Sequence, residues 1–242
     1  MYCSATLREF ALYGTIGTLC VNLGMAGKSI PVYDISNFSY QGTESAFYAN
    51  TFPDHLKQHA HLILAPHRHA FYMSVLFTKG SGIHEIDFNA YEIGPGTVFM
   101  LFPGQVHTWD VSKDIDGYIF FHEEEFYNLN FTHEKVENYP FFSSTENTPL
   151  IILKDGEVSR LEISFREILT EYRSRQLMGF QKICSLLNIL YIDLSRVYLP
   201  VEQREMQNET QLMQVRRLEI LIANNFRSIK YPAQYADRKS VV

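Results

Sequence analysis

The sequence predicts a mainly β domain, an antiparallel sandwich or small barrel, followed by a helical hairpin. Three observations predict it. Between Pro66 and Asp110, runs rich in aromatic and β-branched residues alternate with turn signals. Phe71 to Thr78 stops at Lys79-Gly80-Ser81-Gly82, Ile83 to Phe88 stops at Asn89-Ala90, and Thr97 to Phe102 stops at Pro103-Gly104. Short strands punctuated this regularly are the signature of an all-β layer or barrel. From Glu157 onward the apolar residues recur at helical spacing instead. The 242 residues also hold 18 Phe and 15 Tyr, a composition suited to a β-rich core.

In chain order, residues 1–29 read as a leader ahead of the folded part. Its apolar stretch, Phe10 to Ala26, is interrupted by Gly14, Thr15, Gly17, Thr18, Asn22 and Gly24, too often for a membrane span. Ile30 to Tyr40 reads as an entry strand or extended arm, since Pro31 biases the residue before it away from helix. Phe47 to Phe52 fits either a strand or a short helix, with Pro53 as its end. Side chains alternate across a strand, so His67 and His69 share a face with Phe71, Met73, Val75 and Phe77. That row should point inward and carry two imidazoles to the mouth of the interior. His107, just past the third strand, would face the same opening if the strands pair as neighbours.

Gly117 to Phe121 is a further strand, and Pro140 to Leu153 closes the β-rich part before the turn at Lys154-Asp155-Gly156. Val158, Leu161, Phe165, Ile168 and Tyr172 then form one helical stripe. Gly179 breaks it. Ile183, Leu186, Leu187, Leu190, Leu194 and Val197 form a second stripe, which Pro200 ends. The hairpin packs on the β domain, on a partner, or on both. Residues 201–210 are polar and read as a linker. In the stretch from 211 to 242, Arg216, Arg217, Arg227, Lys230, Arg238 and Lys239 stand against Glu219 and Asp237, a local net charge of +4 on a chain whose net charge is -6. The acidic total argues against a chain dominated by nucleic-acid contacts, whereas the basic end suits a small nucleic-acid module. Cys3, Cys20 and Cys184 are far apart and fit no metal or disulfide spacing, which suits a reduced, cytoplasmic setting.

The ordered set His67-Arg68-His69, Gly80-Ser81-Gly82-Ile83-His84, Gly96 and Pro103-Gly104-Gln105-Val106-His107 resembles the two halves of a cupin barrel. The continuous wording from His67 to Trp109 resembles the effector-binding domain of AraC-type transcriptional regulators. "LEILIANNFRSIKYPAQYAD" near the end resembles the start of that family's DNA-binding domain. The resemblance implies a cupin-like barrel of jelly-roll type at 30–156, dimerisation helices at 157–199, a linker at 200–210, and an incomplete helix-turn-helix domain at 211–242 that lacks its recognition helices. It implies a homodimer formed through Leu161, Phe165, Ile168, Leu186, Leu190 and Leu194. It implies DNA as a partner of full-length members, with Arg216, Arg217, Arg227 and Lys230 as candidate DNA contacts here, and an arm that lies across the pocket.

Two chemistries compete for the β domain. The binding reading needs only a cavity with an apolar lining and a polar, aromatic edge. His67, His69, Tyr72, His107 and Trp109 are the candidates, and a sugar or aromatic metabolite is the expected effector. The alternative is a metal-dependent cupin enzyme, a dioxygenase or isomerase, with His67, His69 and His107 on the ion. Against it, the positions where the cupin pattern carries its Glu hold Met73 and Ser74. No GxSxG elbow, phosphate loop or HExxH motif occurs. The expectation is a regulator without catalytic activity and without a cofactor or metal.

Overall fold

The computed structural model describes residues 30–38, 46–131, 134–142 and 148–199 and, nearer the C-terminus, residues 218, 221, 222, 225 and 227–239. The leader, the linker, Cys3, Cys20, Arg216 and Arg217 lie outside the described residues. Two five-stranded sheets face each other. The first has the order β1 (Val32–Tyr33), β3 (His67–His69), β8 (Val106–Val111), β5 (Gly82–Ile86), β6 (Asn89–Ile93). The second has the order β10 (Leu150–Ile152), β7 (Thr97–Leu101), β4 (Tyr72–Lys79), β9 (Asp116–His122), β2 (Phe47–Thr51). The expected β layer is therefore an open double sheet of jelly-roll type. Among the described residues, its one parallel pair is β1 with β3.

Several boundaries differ from expectation, each for a physical reason. Pro53 starts a helix rather than ending an element: α1 spans Phe52–Ile63, with the Thr51 hydroxyl accepting from the Asp54 amide at 3.3 Å. Proline is tolerated in a first turn because its missing N–H would be unpaired there anyway. Asn89-Ala90 is not the turn but the start of β6. The two turn residues are Asp87 and Phe88, at φ 46° and 69°. Asp87 is anchored there, its carboxylate accepting from Gln105 Nε2 at 3.0 Å and the Val106 amide at 2.9 Å.

The strands follow the expected parity. Phe71, Met73, Val75 and Phe77 point between the sheets, where they meet Ile86, Ile93, Trp109, Phe99 and Ile119. Tyr72 and Leu76 point the other way, onto α3 (Asp155–Ser174) and α4 (Gly179–Tyr198). That is the physical correction to the expected dimerisation residues. Leu161, Phe165, Ile168, Leu190 and Leu194 are buried against the second sheet, with Leu186 partly buried beside them. This stripe seals the helices to their own domain. The side chains they leave exposed include Ile163, Ile189 and Ile192. Cys184 lies in the same core, and burial pushes its thiol up to about 11. The short α2 (Glu124–Asn128) follows β9, and a last described helix, α5, covers Pro232–Lys239. No helix among the described residues is long and apolar enough to cross a membrane.

Two features carry measurable consequences. A Cβ on Gly117 would sit 2.0 Å from the Leu76 carbonyl oxygen across the β4–β9 ladder, beside the bulge between Phe77 and Lys79. Gly117→Ala should cost about 3 kcal/mol, read as a Tm lower by roughly 10 °C. His122 is buried beneath α4, donating from Nδ1 to the Glu123 carbonyl at 2.9 Å and accepting the Tyr191 hydroxyl at 2.7 Å. Burial lowers its pKa from 6.5 to about 4. The unfolded chain therefore binds a proton at a pH where the native chain does not. His122's stabilising contribution is complete above pH 6.5 and declines as pH falls toward 4, by about 3 kcal/mol in all. Thermal melts across that window should show a weaker pH dependence for His122→Gln than for the native sequence.

Candidate functional site

Strand register gathers the histidines. β3 and β8 run antiparallel with His67 directly opposite His107, and β8 meets β5 with Trp109 opposite His84. His69 is two residues from His67 on the same face, and Arg68 between them is exposed. The ring centroids lie 4.3 Å apart for His67 and His107, 4.7 Å for His69 and His107, and 4.7 Å for His67 and His69. One ring nitrogen from each lies within 4.8 Å of the other two. His107 Nε2 is 3.5 Å from His69 Nε2, and His107 Nδ1 is 2.9 Å from His84 Nε2. His67 Nδ1 donates to the Ala65 carbonyl at 2.8 Å. His67 Nε2 and His84 Nδ1 are buried with no hydrogen-bond partner among the described residues.

Burial decides the charge of this cluster. His69, His84 and His107 are held well below the usual imidazole range by desolvation first and by neighbouring histidines second. His67 is lowered by desolvation, against the opposing pull of its bond to Ala65. His55, on α1, falls to about 3 for the same leading reason. A charged imidazole without a carboxylate beside it would lose far more hydration than a neutral one. The cluster is therefore neutral at physiological pH and offers lone pairs as well as donors.

Aromatic rings wall it in. His69 stacks on Phe71 at 4.4 Å, and Phe71 stacks on Phe121 at 4.5 Å. The arm supplies the cover. Phe38 stands edge-on to His69 at 5.9 Å and to His59 at 5.1 Å, and Tyr33 lies 5.6 Å from His67. The arm is held by β1 pairing with β3, where the Arg68 amide donates to the Pro31 carbonyl at 2.9 Å and the Ala70 amide to the Tyr33 carbonyl at 3.0 Å.

Of the expected ligand residues, His67, His69 and His107 come together. Trp109 is near them but is only 4% exposed, stacked flat on His84 at 3.4 Å. It belongs to the inner lining rather than the edge of the opening. Tyr72 does not join. It faces the helical side, stacked on His122 at 5.4 Å, because odd and even positions of β4 point to opposite faces. Among the candidate DNA contacts, Arg227 and Lys230 are exposed, in the segment before α5. Sequence reasoning missed His84, His55 and His59, and gave the arm over the pocket without singling out its Tyr33 and Phe38. The alternation of Ile83 to Phe88 carried a signal for His84, since it shares parity with Ile86. The histidines of α1 carried none once Pro53 was read as a stop.

Comparison with known proteins identifies the family of the domain. No curated protein matches the chain in sequence. Among solved structures, the crystal structure of the AraC-like transcriptional activator CuxR aligns at 14% identity and a TM-score of 0.41, covering 81% of this chain and 63% of that one. The apo form of a ToxT variant from Vibrio cholerae aligns at 13% identity and a TM-score of 0.37, covering 81% of this chain and 71% of that one. This chain thus spans less than two thirds of the CuxR chain's length. The family model described as the AraC-like ligand binding domain matches residues 51–173, half of the chain, from the end of β2 to the last turn of α3. That match spans the histidine cluster and the strands from β3 to β10, and the chain belongs to the AraC-like ligand-binding domain family.

Proposed function

We propose that this chain is the effector-sensing part of an AraC-type transcriptional regulator, and that its effector binds between the sheets against His67, His69 and His107. The observation that carries the reading is a buried group of neutral imidazoles, covered by Tyr33 and Phe38 of the arm, inside the family-matched domain. Neutral imidazoles both donate and accept, and flat rings line the walls. A small molecule with a sugar or aromatic ring and polar substituents suits that chemistry. Its entry would press on Tyr33 and Phe38 and so bias the arm between a docked and a released state. Such a switch works only to the extent that the ligand binds one state better.

Around this sensor we assign residues 157–199 to the helices that would meet a second copy through the exposed side of the hairpin, where Ile163, Ile189 and Ile192 lie. Residues 200–210 are assigned to a linker, and 211–242 to the beginning of a helical DNA-binding domain, with Arg216, Arg217, Arg227 and Lys230 on the nucleic acid. The protein acts without catalysis, in the cytoplasm, with its effector and its second copy as partners; operator DNA is the partner of full-length members of the family.

The test uses Trp109, the single tryptophan, as a reporter stacked on His84. Sugars and aromatic metabolites that raise the melting temperature should also change its fluorescence. Their affinity should fall at least about tenfold in His107→Asn, because a site built to hydrogen-bond its ligand loses that bond. Ligands that stabilise the native chain and His107→Asn equally would put the effector elsewhere. A second expectation concerns the arm. Phe38→Ala should speed hydrogen exchange at the Arg68 and Ala70 amides, both of which the arm's carbonyls hold. Unchanged protection at both would mean that Phe38 does not anchor the arm.

A further inference from the structure

We infer that the cleft where α3 turns into α4 is a second small-molecule site, for an organic monoanion: a carboxylate or sulfonate on an apolar framework. It goes beyond the effector site proposed above and does not rest on it. The helices pack on the face of the second sheet opposite the histidines, so the two sites lie on different sides of that sheet. The cleft measures about 680 Å³, within the range of roughly 300–1,000 Å³ usual for small-molecule sites. Leu177, Met178 and Phe180 line it and are 94%, 64% and 54% exposed. Side chains this exposed recover little hydrophobic free energy on folding, and a guest laid against them would recover more. Arg175 and Met178 take left-handed backbone, at φ 50° and 60°, and frame the turn that presents Leu177.

Charge selects the guest. Of the charged residues that line the cleft, Arg173 is paired with Asp54 at 3.5 Å, and Glu171 is paired with Lys182. Arg175 has no ion pair among the described residues. Its charge reaches the Tyr172 hydroxyl on the cleft wall, where it opposes the upward push of burial on that group. The first turn of α4 carries no acidic side chain. An anion in the cleft therefore meets one uncompensated cation, and the one carboxylate nearby is already neutralised by Lys182.

The surroundings also orient the guest. A neighbouring cleft of about 440 Å³ shares Phe180 and Gln181 with this one, but Glu123 and Glu125 line it and repel an acid group. The acid group is thereby held at the Arg175 end, with the apolar body against Leu177, Met178 and Phe180. A molecule so placed touches both helices at their shared turn and ties them together there.

The test uses the full chain and two probes of the same ring system, anilinonaphthalene sulfonate and uncharged phenylnaphthylamine. Fluorescence titration should saturate at one sulfonate per chain. The uncharged probe should bind about tenfold more weakly, the worth of one charge-assisted hydrogen bond. Arg175→Gln should lower the sulfonate's affinity about tenfold and bring the two probes level. Phe180→Ala should weaken both. Arg196→Gln, exposed in the last turn of α4, should bind the sulfonate as the native chain does. Bound sulfonate should slow hydrogen exchange at the Gly179 and Lys182 amides, which hold the turn through the Gln176 and Met178 carbonyls. Slowed exchange at Arg68 and Ala70 instead would place the probe in the histidine pocket and overturn the assignment. Equal affinity of the two probes for the native chain, or a sulfonate affinity untouched by Arg175→Gln, would overturn it as well.

Discussion

The central strands of the second sheet have no solvent face, and the rest of the molecule follows from that constraint. All five residues of β7 are buried, as are the first six of β4. One side of these strands packs against the first sheet and the other against α3 and α4. A sheet buried on both sides must be apolar on both sides. Its strands therefore read as unbroken hydrophobic runs, such as Thr97–Leu101, rather than as clean alternation. The helices cannot leave without exposing Leu76, Met100 and Phe120, so their inner stripe is committed to this sheet. The β domain and the hairpin are thereby one mechanical body, sharing the second sheet as a common wall.

The first sheet has the opposite character. Its strands alternate, with Arg68, Glu85, Glu92 and Asp110 outside and His67, His69, His84, His107 and Trp109 inside. The inner face is consequently where polar atoms enter the core. Four imidazoles can be buried together because burial itself keeps them neutral, so their proximity involves little charge repulsion. Their cost is instead unmet hydrogen bonding, concentrated at His67 Nε2 and His84 Nδ1. Such unpartnered atoms in a folded interior mark where a guest has something to gain.

How much of this was legible in the sequence depended on whether a signal was local. Parity along β3 and β4 placed His67, His69, Phe71 and Met73 on one side, since a two-residue period needs no knowledge of the fold. The same parity spoke against Tyr72, which faces the helices. Register was not legible. That His67 meets His107, and Trp109 meets His84, depends on which strands become neighbours across long connections. The amphipathic stripe of 157–199 revealed helices but not their partner, because a stripe looks alike whether it meets a sheet or another copy. Pro53 misled because proline both ends elements and opens helices, and only the Thr51 cap tells them apart. Asp87-Phe88 hid as a turn because a left-handed phenylalanine is uncommon and needs the tertiary anchor from Gln105 and Val106.

The arm has one more consequence, through what it covers. β1 is the last strand of the first sheet, and it shields the backbone of β3 beside the histidines. Lifting it would uncover the amides of Arg68 and Ala70 along an open sheet edge. Such an edge is a template for any extended segment, whether the chain's own arm or a strand from another molecule. Whatever shifts the arm therefore also sets the protein's tendency to exchange strands. The charge of Arg68, outward on that short edge, is the kind of side chain that keeps such an exchange in check.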